Sequence, residues 1–199
     1  MNKRPLLSIG MIFRNEIHCL ERCLESLEPL RRAVPCELVM ADTGSTDGSR
    51  EVAARYADIL FDFPWVNDFS AARNAVMDRS SGVWYLTVDA DEWLDGDISQ
   101  LTAVLASSPE EEATVGLVVQ RNYSTYDFDG PYTDFLAGRL VYTSRRPRYT
   151  GVIHERWQWR ESPSYVVMRE TVLHHDGYVS LNRGGGARKP GTWSFCGRS

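Results

Sequence analysis

The chain has 199 residues, 43% of them apolar, and a formal net charge of −5. This length can build one sizeable core. The negative charge argues against nucleic acid as the main partner, because surfaces that bind phosphate backbones are usually basic. Four cysteines are too few for a fold held by disulfides. No apolar run approaches the ~18 residues of a membrane span. We therefore expect a cytoplasmic protein, with peripheral attachment to the inner face of a membrane left open.

The first half of the chain alternates apolar runs of strand length with segments of helical spacing. Strands are predicted at 6–13, 37–41, 58–61 and 83–88, and helices at about 17–28, 49–56 and 68–79. Pro29 is expected to end the first helix, because proline removes a helical hydrogen bond. This alternation predicts an α/β fold with a mostly parallel sheet that is flanked by helices.

The second half is richer in aromatic, strand-like segments. A helix at 98–106 and a strand at 114–120 are followed by candidate strands at 128–142, 149–153 and 165–173. These segments predict antiparallel strands that are appended to the sheet, within a single domain over residues 1–182. The remaining residues, 183–199, are rich in glycine and basic side chains and are expected to form a flexible tail.

Polar side chains follow three of the predicted strands at the point where each strand ends. The first strand is followed by Arg14-Asn15-Glu16, the second by Asp42 and the fourth by Asp89-Ala90-Asp91. Ligands of open α/β sheets bind at the carboxyl ends of the strands. Carboxylates after buried strands need a partner, and Mg²⁺ or Mn²⁺ with phosphate oxygens would supply one. Taken alone, the Asp-x-Asp triplet is equally an acidic turn.

Two further segments allow both a structural and a ligand-binding interpretation. Residues 42–48 are ordinary turn chemistry in which Asp47 or Ser49 caps the next helix, but the turn could also contact a nucleoside. Arg73-Asn74 lies on a predicted helix, where an arginine is usually solvated. It could instead pair with Asp42 or with phosphate.

Four segments, in this order and spacing, resemble the family 2 glycosyltransferases with the GT-A fold. They are Met11-Ile-Phe-Arg-Asn-Glu16, Val39-Met-Ala-Asp-Thr-Gly-Ser-Thr-Asp-Gly48, Asp68-Phe-Ser-Ala-Ala-Arg-Asn74 and Val88-Asp-Ala-Asp-Glu92. The chain looks most like small bacterial members related to lipopolysaccharide-core and peptide glycosyltransferases. The resemblance implies a nucleotide-sugar donor, with a UDP-sugar favoured, an inverting transfer and a Mn²⁺ or Mg²⁺ cofactor.

The resemblance also implies roles for individual residues. Asp42 would contact the nucleoside. Asp89, Ala90 and Asp91 would hold the metal and the diphosphate, with Asp91 the closer ligand. Arg14, Asn15, Glu16, Arg73 and Asn74 would complete the donor pocket. Residues 1–97 would then be the nucleotide-sugar-binding half and residues 98–182 the acceptor-side half.

Two motifs in the second half carry candidate catalytic residues. Gly151-Val-Ile-His154-Glu155 and His174-His175-Asp176-Gly177-Tyr178 resemble segments that close the domain in these relatives. His154, His174 or His175 would complete the metal shell or contact phosphate, although each could equally be a structural histidine. Glu155 is a candidate base for the acceptor hydroxyl, and Asp134 is a second.

Two other functions remain as alternatives. A non-catalytic nucleotide-sugar-binding module would share the donor pocket but lack transfer. A sugar nucleotidyltransferase would need a glycine-rich phosphate loop after the first strand, where this chain has Phe13-Arg14-Asn15-Glu16. The acceptor class stays open between a carbohydrate, a lipid-linked group and a peptide. No oligomeric state is predicted.

Overall fold

The computed structural model describes residues 4–107, 113–123, 128 and 130–176. The predicted tail at 183–199 and the last two residues of the second histidine motif, Gly177 and Tyr178, lie outside these ranges. In chain order the elements are β1 (Leu7–Phe13), α1 (Leu20–Ala33), β2 (Cys36–Asp42), α2 (Ser49–Ala53), β3 (Ile59–Asp62), α3 (Phe69–Arg79), β4 (Trp84–Thr87), β5 (Glu92–Asp95), α4 (Ser99–Ala106), β6 (Thr114–Tyr123), β7 (Tyr132–Tyr142), β8 (Arg148–Thr150), β9 (Arg156–Gln158) and β10 (Ser164–His175).

Eight of these strands form one sheet in the order β3-β2-β1-β4-β7-β6-β10-β5. The four strands β3, β2, β1 and β4 are parallel to one another. Strand β7 is antiparallel to both β4 and β6, whereas β10 is parallel to β6 and antiparallel to β5. Strands β8 and β9 form a separate antiparallel ribbon. The predicted α/β fold with a GT-A-like sheet and appended antiparallel strands is confirmed.

Helices cover both faces of the parallel part of the sheet. Every residue of β1 is buried, which explains its nearly continuous apolar sequence. Helix α1 buries Leu20, Leu24 and Leu27 in one core cluster, and α3 contributes Ala72 and Val76 to a second. The two clusters hold the sheet between helical layers. Among the described residues no helix combines the length and apolar character needed to cross a bilayer.

The prediction that Pro29 ends the first helix is wrong, because α1 continues to Ala33. The last turn is held by tertiary contacts. Leu30 is fully buried. Arg31 donates a hydrogen bond to the Tyr56 carbonyl at 2.9 Å and pairs with Asp58 at 2.8 Å. These contacts offset the hydrogen bond that the proline removes.

Two short strands were missed by sequence analysis. Strand β5 begins at Glu92, directly after the Asp-x-Asp triplet, and pairs with β10 at the far edge of the sheet. Strand β9 follows Glu155 and pairs with β8. Both strands are short, with four and three residues, and both begin with a charged residue. Segments of this length are too short to show the alternation by which a strand is predicted.

Candidate active site

The ends of β1, β2 and β4 converge on one pocket, as the positions of their polar residues predict. Arg14 and Glu16 line it from the end of β1, and Thr43 from the end of β2. Asp89, Ala90 and Asp91 line it from the end of β4, and the aromatic side chains of Trp65 and Phe69 complete the wall. The pocket therefore combines acidic, basic and aromatic side chains at the carboxyl edge of the parallel strands.

Asp42 and Asn15 hold the turn beside this pocket. The Oδ1 atom of Asp42 accepts hydrogen bonds from the backbone N–H of Gly44 at 3.0 Å and of Ser45 at 2.7 Å. The Oδ1 atom of Asn15 accepts from the backbone N–H of Thr46 at 2.7 Å. Local turn chemistry, the first predicted role of the turn, is therefore observed, and Thr43 of the turn lines the pocket.

Arg14 and Glu16 differ in how they are held. The backbone N–H of Glu16 donates to the Ser49 hydroxyl at 2.8 Å, and its carboxylate accepts from the Cys19 thiol at 3.3 Å. The Nε atom of Arg14 is buried and has no hydrogen-bond partner among the described residues. A guanidinium N–H left in this state beside a pocket suits an anionic oxygen.

Arg73 joins the triplet to the Gly151–Glu155 segment through buried ion pairs. Its Nη2 donates to Asp89 Oδ1 at 2.6 Å, its Nε to Glu155 Oε1 at 2.6 Å, and its Nη1 to the Thr87 hydroxyl at 2.9 Å. From the sequence, Arg73 was either a solvated helix residue or a partner of Asp42 or phosphate. The structure shows it paired with Asp89 and Glu155.

Asp89 is bound by a second arginine, Arg139, which sequence analysis missed. Arg139 Nη1 lies 3.1 Å from Asp89 Oδ2, and its Nη2 donates to the buried carboxylate of Glu92. Burial alone would raise the pKa of Asp89, but the Arg73 and Arg139 guanidiniums lower it well below its usual range. Burial raises the pKa of Glu92 to about 7, although Arg139 opposes this shift. The available signal was a charged residue directly before the buried pair Leu140-Val141 of β7.

Asp91 is held by His175 instead of by an arginine. His175 Nε2 lies 3.3 Å from Asp91 Oδ2, and its Nδ1 lies 2.7 Å from Asn122 Oδ1. The amide of Asn122 donates to the Thr133 carbonyl, so its oxygen faces the ring. Burial of the ring disfavours its charge, but the hydrogen bond to Asp91 raises the pKa of His175 to about 9. A ring that donates from both nitrogens has no lone pair for a metal.

The other two predicted histidines lie in different surroundings. His174 stacks on Trp93, with ring centroids 5.0 Å apart, and its Nδ1 lies 2.6 Å from the Tyr123 hydroxyl. Burial lowers the pKa of His174. His154 is exposed and adopts left-handed backbone geometry with φ of 57°. Of the three, His175 is the one that contacts Asp91.

The two candidate bases also differ. Glu155 is 7% exposed, and its Oε2 has no hydrogen-bond partner within the described ranges. Asp134 is 36% exposed and forms a bidentate pair with Arg121, at 2.9 and 2.8 Å. The Arg121 hydrogen bonds lower the pKa of Asp134, which makes it a weaker proton acceptor. Glu155 shares Arg73 with Asp89 and so belongs to the same ion-pair network.

Asn74 has a structural contact in the described chain. Its side-chain amide donates to the Tyr149 carbonyl at 3.0 Å and accepts from the Tyr149 N–H at 2.9 Å. This paired hydrogen bond attaches α3 to β8. Asn74 therefore fixes the position of the ribbon that leads to Glu155.

The donor atoms at the pocket fit a hard divalent cation that arrives with phosphate. In the part of the chain that the structure describes, no three His, Cys, Asp or Glu side chains form a metal cluster. Asp89 is engaged by two arginines, and the carboxylates of Asp91 and Glu16 line the pocket wall beside it. Mg²⁺ and Mn²⁺ use one or two carboxylates and fill the remaining positions with water and phosphate oxygens.

The His175 contact predicts a stability that falls at alkaline pH. The pKa of His175 in the folded chain is about 9, against an ordinary 6.5. Its stabilising contribution is therefore complete below pH 6.5 and is lost as the pH rises through 9. We expect the free energy of unfolding to fall by at most about 3 kcal/mol over this window.

Urea unfolding in the presence of a chelator, at pH 7.5 and 9.5, measures this loss. Both pH values lie above the pKa of Glu92, which burial raises to about 7, so the comparison reports mainly on His175. His175→Gln should flatten the pH dependence, whereas His174→Gln should keep it, because the pKa of His174 is lowered. An unchanged slope in His175→Gln would contradict the assignment.

Comparisons with known proteins agree with this geometry. The sequence profile of glycosyl transferase family 2 matches residues 8–170. A TPR repeat-containing protein of Synechococcus elongatus is 32% identical over 150 residues, which cover 68% of this chain and 36% of that protein. The lipopolysaccharide core biosynthesis glycosyltransferase LpsC of Rhizobium meliloti is 33% identical over 110 residues, covering 53% of this chain and 38% of LpsC.

A solved structure supports the fold. The mannosyltransferase PcManGT of Pyrobaculum calidifontis, in complex with GDP-Man and Mn²⁺, superposes with a TM-score of 0.60 at 15% identity. The match covers 92% of this chain and 59% of that chain. The chain spans little more than a third of the two curated relatives above. Because the family profile covers most of the chain, the chain belongs to glycosyl transferase family 2 and has the GT-A fold.

Proposed function

We propose that this chain transfers a sugar from a nucleoside diphosphate sugar to an acceptor hydroxyl, with a divalent cation and with inversion at the anomeric carbon. The observation that carries the proposal is the pocket at the strand ends, which is lined by Asp91, Glu16 and Arg14, and the Nε of Arg14 is buried without a partner among the described residues. This combination of carboxylates and an arginine suits a cation and a diphosphate together. The bound cation would stabilise negative charge on the departing diphosphate.

The residues around the pocket then take separate roles. Asp91 would bind the cation, and His175 would fix the orientation of the Asp91 carboxylate. Arg14 would contact phosphate. Asp89 would act mainly through its ion pairs, because Arg73 and Arg139 occupy its two oxygens. Asp42 would present the 42–48 turn to the nucleoside.

Glu155 is the preferred base of the two candidates. An inverting transfer needs a group that takes the proton from the acceptor hydroxyl as the oxygen attacks the sugar. The Oε2 atom of Glu155 is buried without a partner and lies in the network that contains Asp89. Asp134 is exposed and bound on both oxygens by Arg121.

A UDP-sugar is the donor that the resemblance of the sequence favours. The structural relative with GDP-Man and Mn²⁺ supports a nucleotide-sugar and a divalent cation in general. The relative named for lipopolysaccharide core biosynthesis supports a carbohydrate acceptor. A nucleotide panel that includes both UDP and GDP distinguishes the two bases.

Isothermal titration calorimetry tests the donor site directly. We expect UDP to bind in the presence of Mn²⁺ and to bind at least ten-fold more weakly with chelator. Asp91→Asn should lose the Mn²⁺-dependent part of the affinity, because it removes the charge that holds the cation. Asp95→Asn is the matched control, since Asp95 lies nearby on β5 with 68% of its side chain exposed.

Two results would overturn the proposal. One is an affinity for UDP and GDP that is absent or independent of metal. The other is an equal loss in both variants. Nucleotide binding without transfer to any acceptor would favour the non-catalytic module instead.

A further inference from the structure

A second cleft lies next to the ion pairs of Asp89. Its volume is about 260 Å³, and its walls include Gln120, Ala137, Arg139, Glu155 and Trp157. Pockets for drug-sized ligands usually have volumes of ~300–1,000 Å³. This cleft is therefore of a size for one ring with its substituents.

Three buried polar atoms of the cleft walls lack protein partners. Among the described residues, Glu155 Oε2 accepts no hydrogen bond, Arg139 Nε donates none and the Tyr149 hydroxyl forms none. The side chains of Glu155 and Arg139 are 7% and 12% exposed. Buried polar atoms without protein partners are normally satisfied by a ligand or by water. The carboxylate oxygen is an acceptor, the guanidinium N–H is a donor and the hydroxyl can be either, which is a set that a hydroxylated molecule satisfies.

The buried charges around the cleft are paired. Its guanidinium groups belong to Arg73, Arg139 and Arg156. Arg73 pairs with Glu155 and Asp89, and Arg139 pairs with Asp89 and Glu92, whereas Arg156 is exposed. The two buried guanidiniums are therefore already compensated by carboxylates, which favours an uncharged ligand over an ion. Trp157 adds an aromatic surface against which the C–H face of a ring can pack.

From these observations, and resting on the proposed function, we infer that this cleft binds the acceptor, and that the acceptor presents an uncharged sugar ring. One sugar hydroxyl would donate to Glu155 Oε2, and another would accept from Arg139 Nε. The first oxygen would attack the anomeric carbon of the donor and form the new C–O bond. Its proton would pass to Glu155, and the broken anomeric C–O bond would leave its electron pair on the nucleoside diphosphate.

A graded series at Ala137 tests the inference without changing any charge. Ala137 is half-buried on β7 and lines the cleft. Ala137→Val and Ala137→Leu fill the cleft, whereas Ala137→Ser leaves its volume nearly unchanged. The probes are neutral methyl hexosides, with hexuronates and hexose 6-phosphates as charged counterparts. Saturation-transfer NMR with UDP and Mn²⁺ present measures their binding.

We expect the neutral hexosides to bind wild type and Ala137→Ser equally. Their signal should fall progressively in Ala137→Val and Ala137→Leu, to less than a fifth of the wild-type value. The charged sugars should bind more weakly than the neutral ones. UDP calorimetry on the same samples should show one affinity in all four proteins, which also confirms that each variant is folded.

Each other outcome has a distinct meaning. Hexoside binding that is absent, or that Ala137→Leu does not reduce while UDP still binds, overturns the acceptor site and leaves the donor site intact. Stronger binding of hexuronates or hexose phosphates overturns the assignment to an uncharged ring. Failure of wild type to bind UDP removes the proposed function itself.

Discussion

Replacing Arg73 with alanine should lower the free energy of unfolding by about 3–5 kcal/mol, since it leaves partners of a buried ion pair uncompensated. Arg73 is 4% exposed and donates to both Asp89 and Glu155. Arg139 would still pair with Asp89, but Glu155 would lose the cation that holds it. Urea unfolding at pH 7 in the presence of chelator measures the change.

Arg121→Ala is the matched control for this prediction. It also removes an arginine side chain from an ion pair, but this pair joins Arg121 of β6 to Asp134 of β7, and the side chain of Asp134 is 36% exposed. Pairs of this kind contribute about 0–1 kcal/mol. Arg73→Lys should fall between the two variants, because an ammonium group cannot reproduce the fork geometry that reaches two carboxylates. Equal losses in Arg73→Ala and Arg121→Ala would show that the buried network contributes little to stability.

The second large effect is expected on turnover. Glu155→Gln should reduce kcat by about 10²–10⁴-fold, which is the usual contribution of a positioned general base. The substitution keeps the shape of the side chain and an oxygen for Arg73, so the affinity for UDP should stay within about two-fold. Steady-state release of nucleotide in the presence of acceptor measures kcat, and calorimetry measures the affinity.

Asp134→Asn provides the comparison for Glu155→Gln. It makes the same change at the other candidate base, whose carboxylate is already bound by Arg121. We expect kcat in this variant to remain within about three-fold of wild type, because Arg121 holds both oxygens of Asp134 and lowers its pKa, whereas Glu155 keeps one oxygen without a partner among the described residues. A larger loss in Asp134→Asn than in Glu155→Gln would transfer the role of base to Asp134.

The part of the site that could be predicted is the part that follows from strand order. Asp42, Asp89 and Arg14 each follow a buried strand. Parallel neighbours bring such positions to one edge of the sheet. The prediction depended on local sequence and on one general rule of α/β folds. In the structure Arg14 and Asp89 line one pocket, which Thr43, the neighbour of Asp42, also lines.

The partners of these residues could not be predicted in the same way. Arg139 and Asn122 reach the triplet because of the register of β6 and β7, which sequence alone does not determine. The division of roles between His174 and His175 follows from the alternation of side chains across β10, since successive residues of a strand point to opposite faces. The strand was predicted only as far as residue 173, so this alternation was not applied to the pair.

Because strand β5 follows the triplet directly, Asp89-Ala90-Asp91 connects two strands that are not neighbours in the sheet. Strands β4 and β5 are separated in the sheet by β7, β6 and β10, yet only Val88 to Asp91 connect them along the chain. Four inter-strand spacings in a flat sheet measure about 19 Å. The five steps from Thr87 to Glu92 span at most about 18 Å when fully extended.

The connection is shorter still, because the backbone N–H of Glu92 donates to the Asp89 carbonyl in a turn. The sheet must therefore curve, so that Asp89-Ala90-Asp91 connects β4 directly to β5. Each of the three strands between β4 and β5 supplies a side chain that holds this connection. Arg139 of β7 pairs with Asp89, His175 of β10 pairs with Asp91, and Asn122 of β6 accepts from the His175 ring. Residues 1–97 by themselves would contain the connection but lack Arg139, Asn122 and His175. We therefore expect that residues 1–97, the proposed donor half, would not fold as a separate unit.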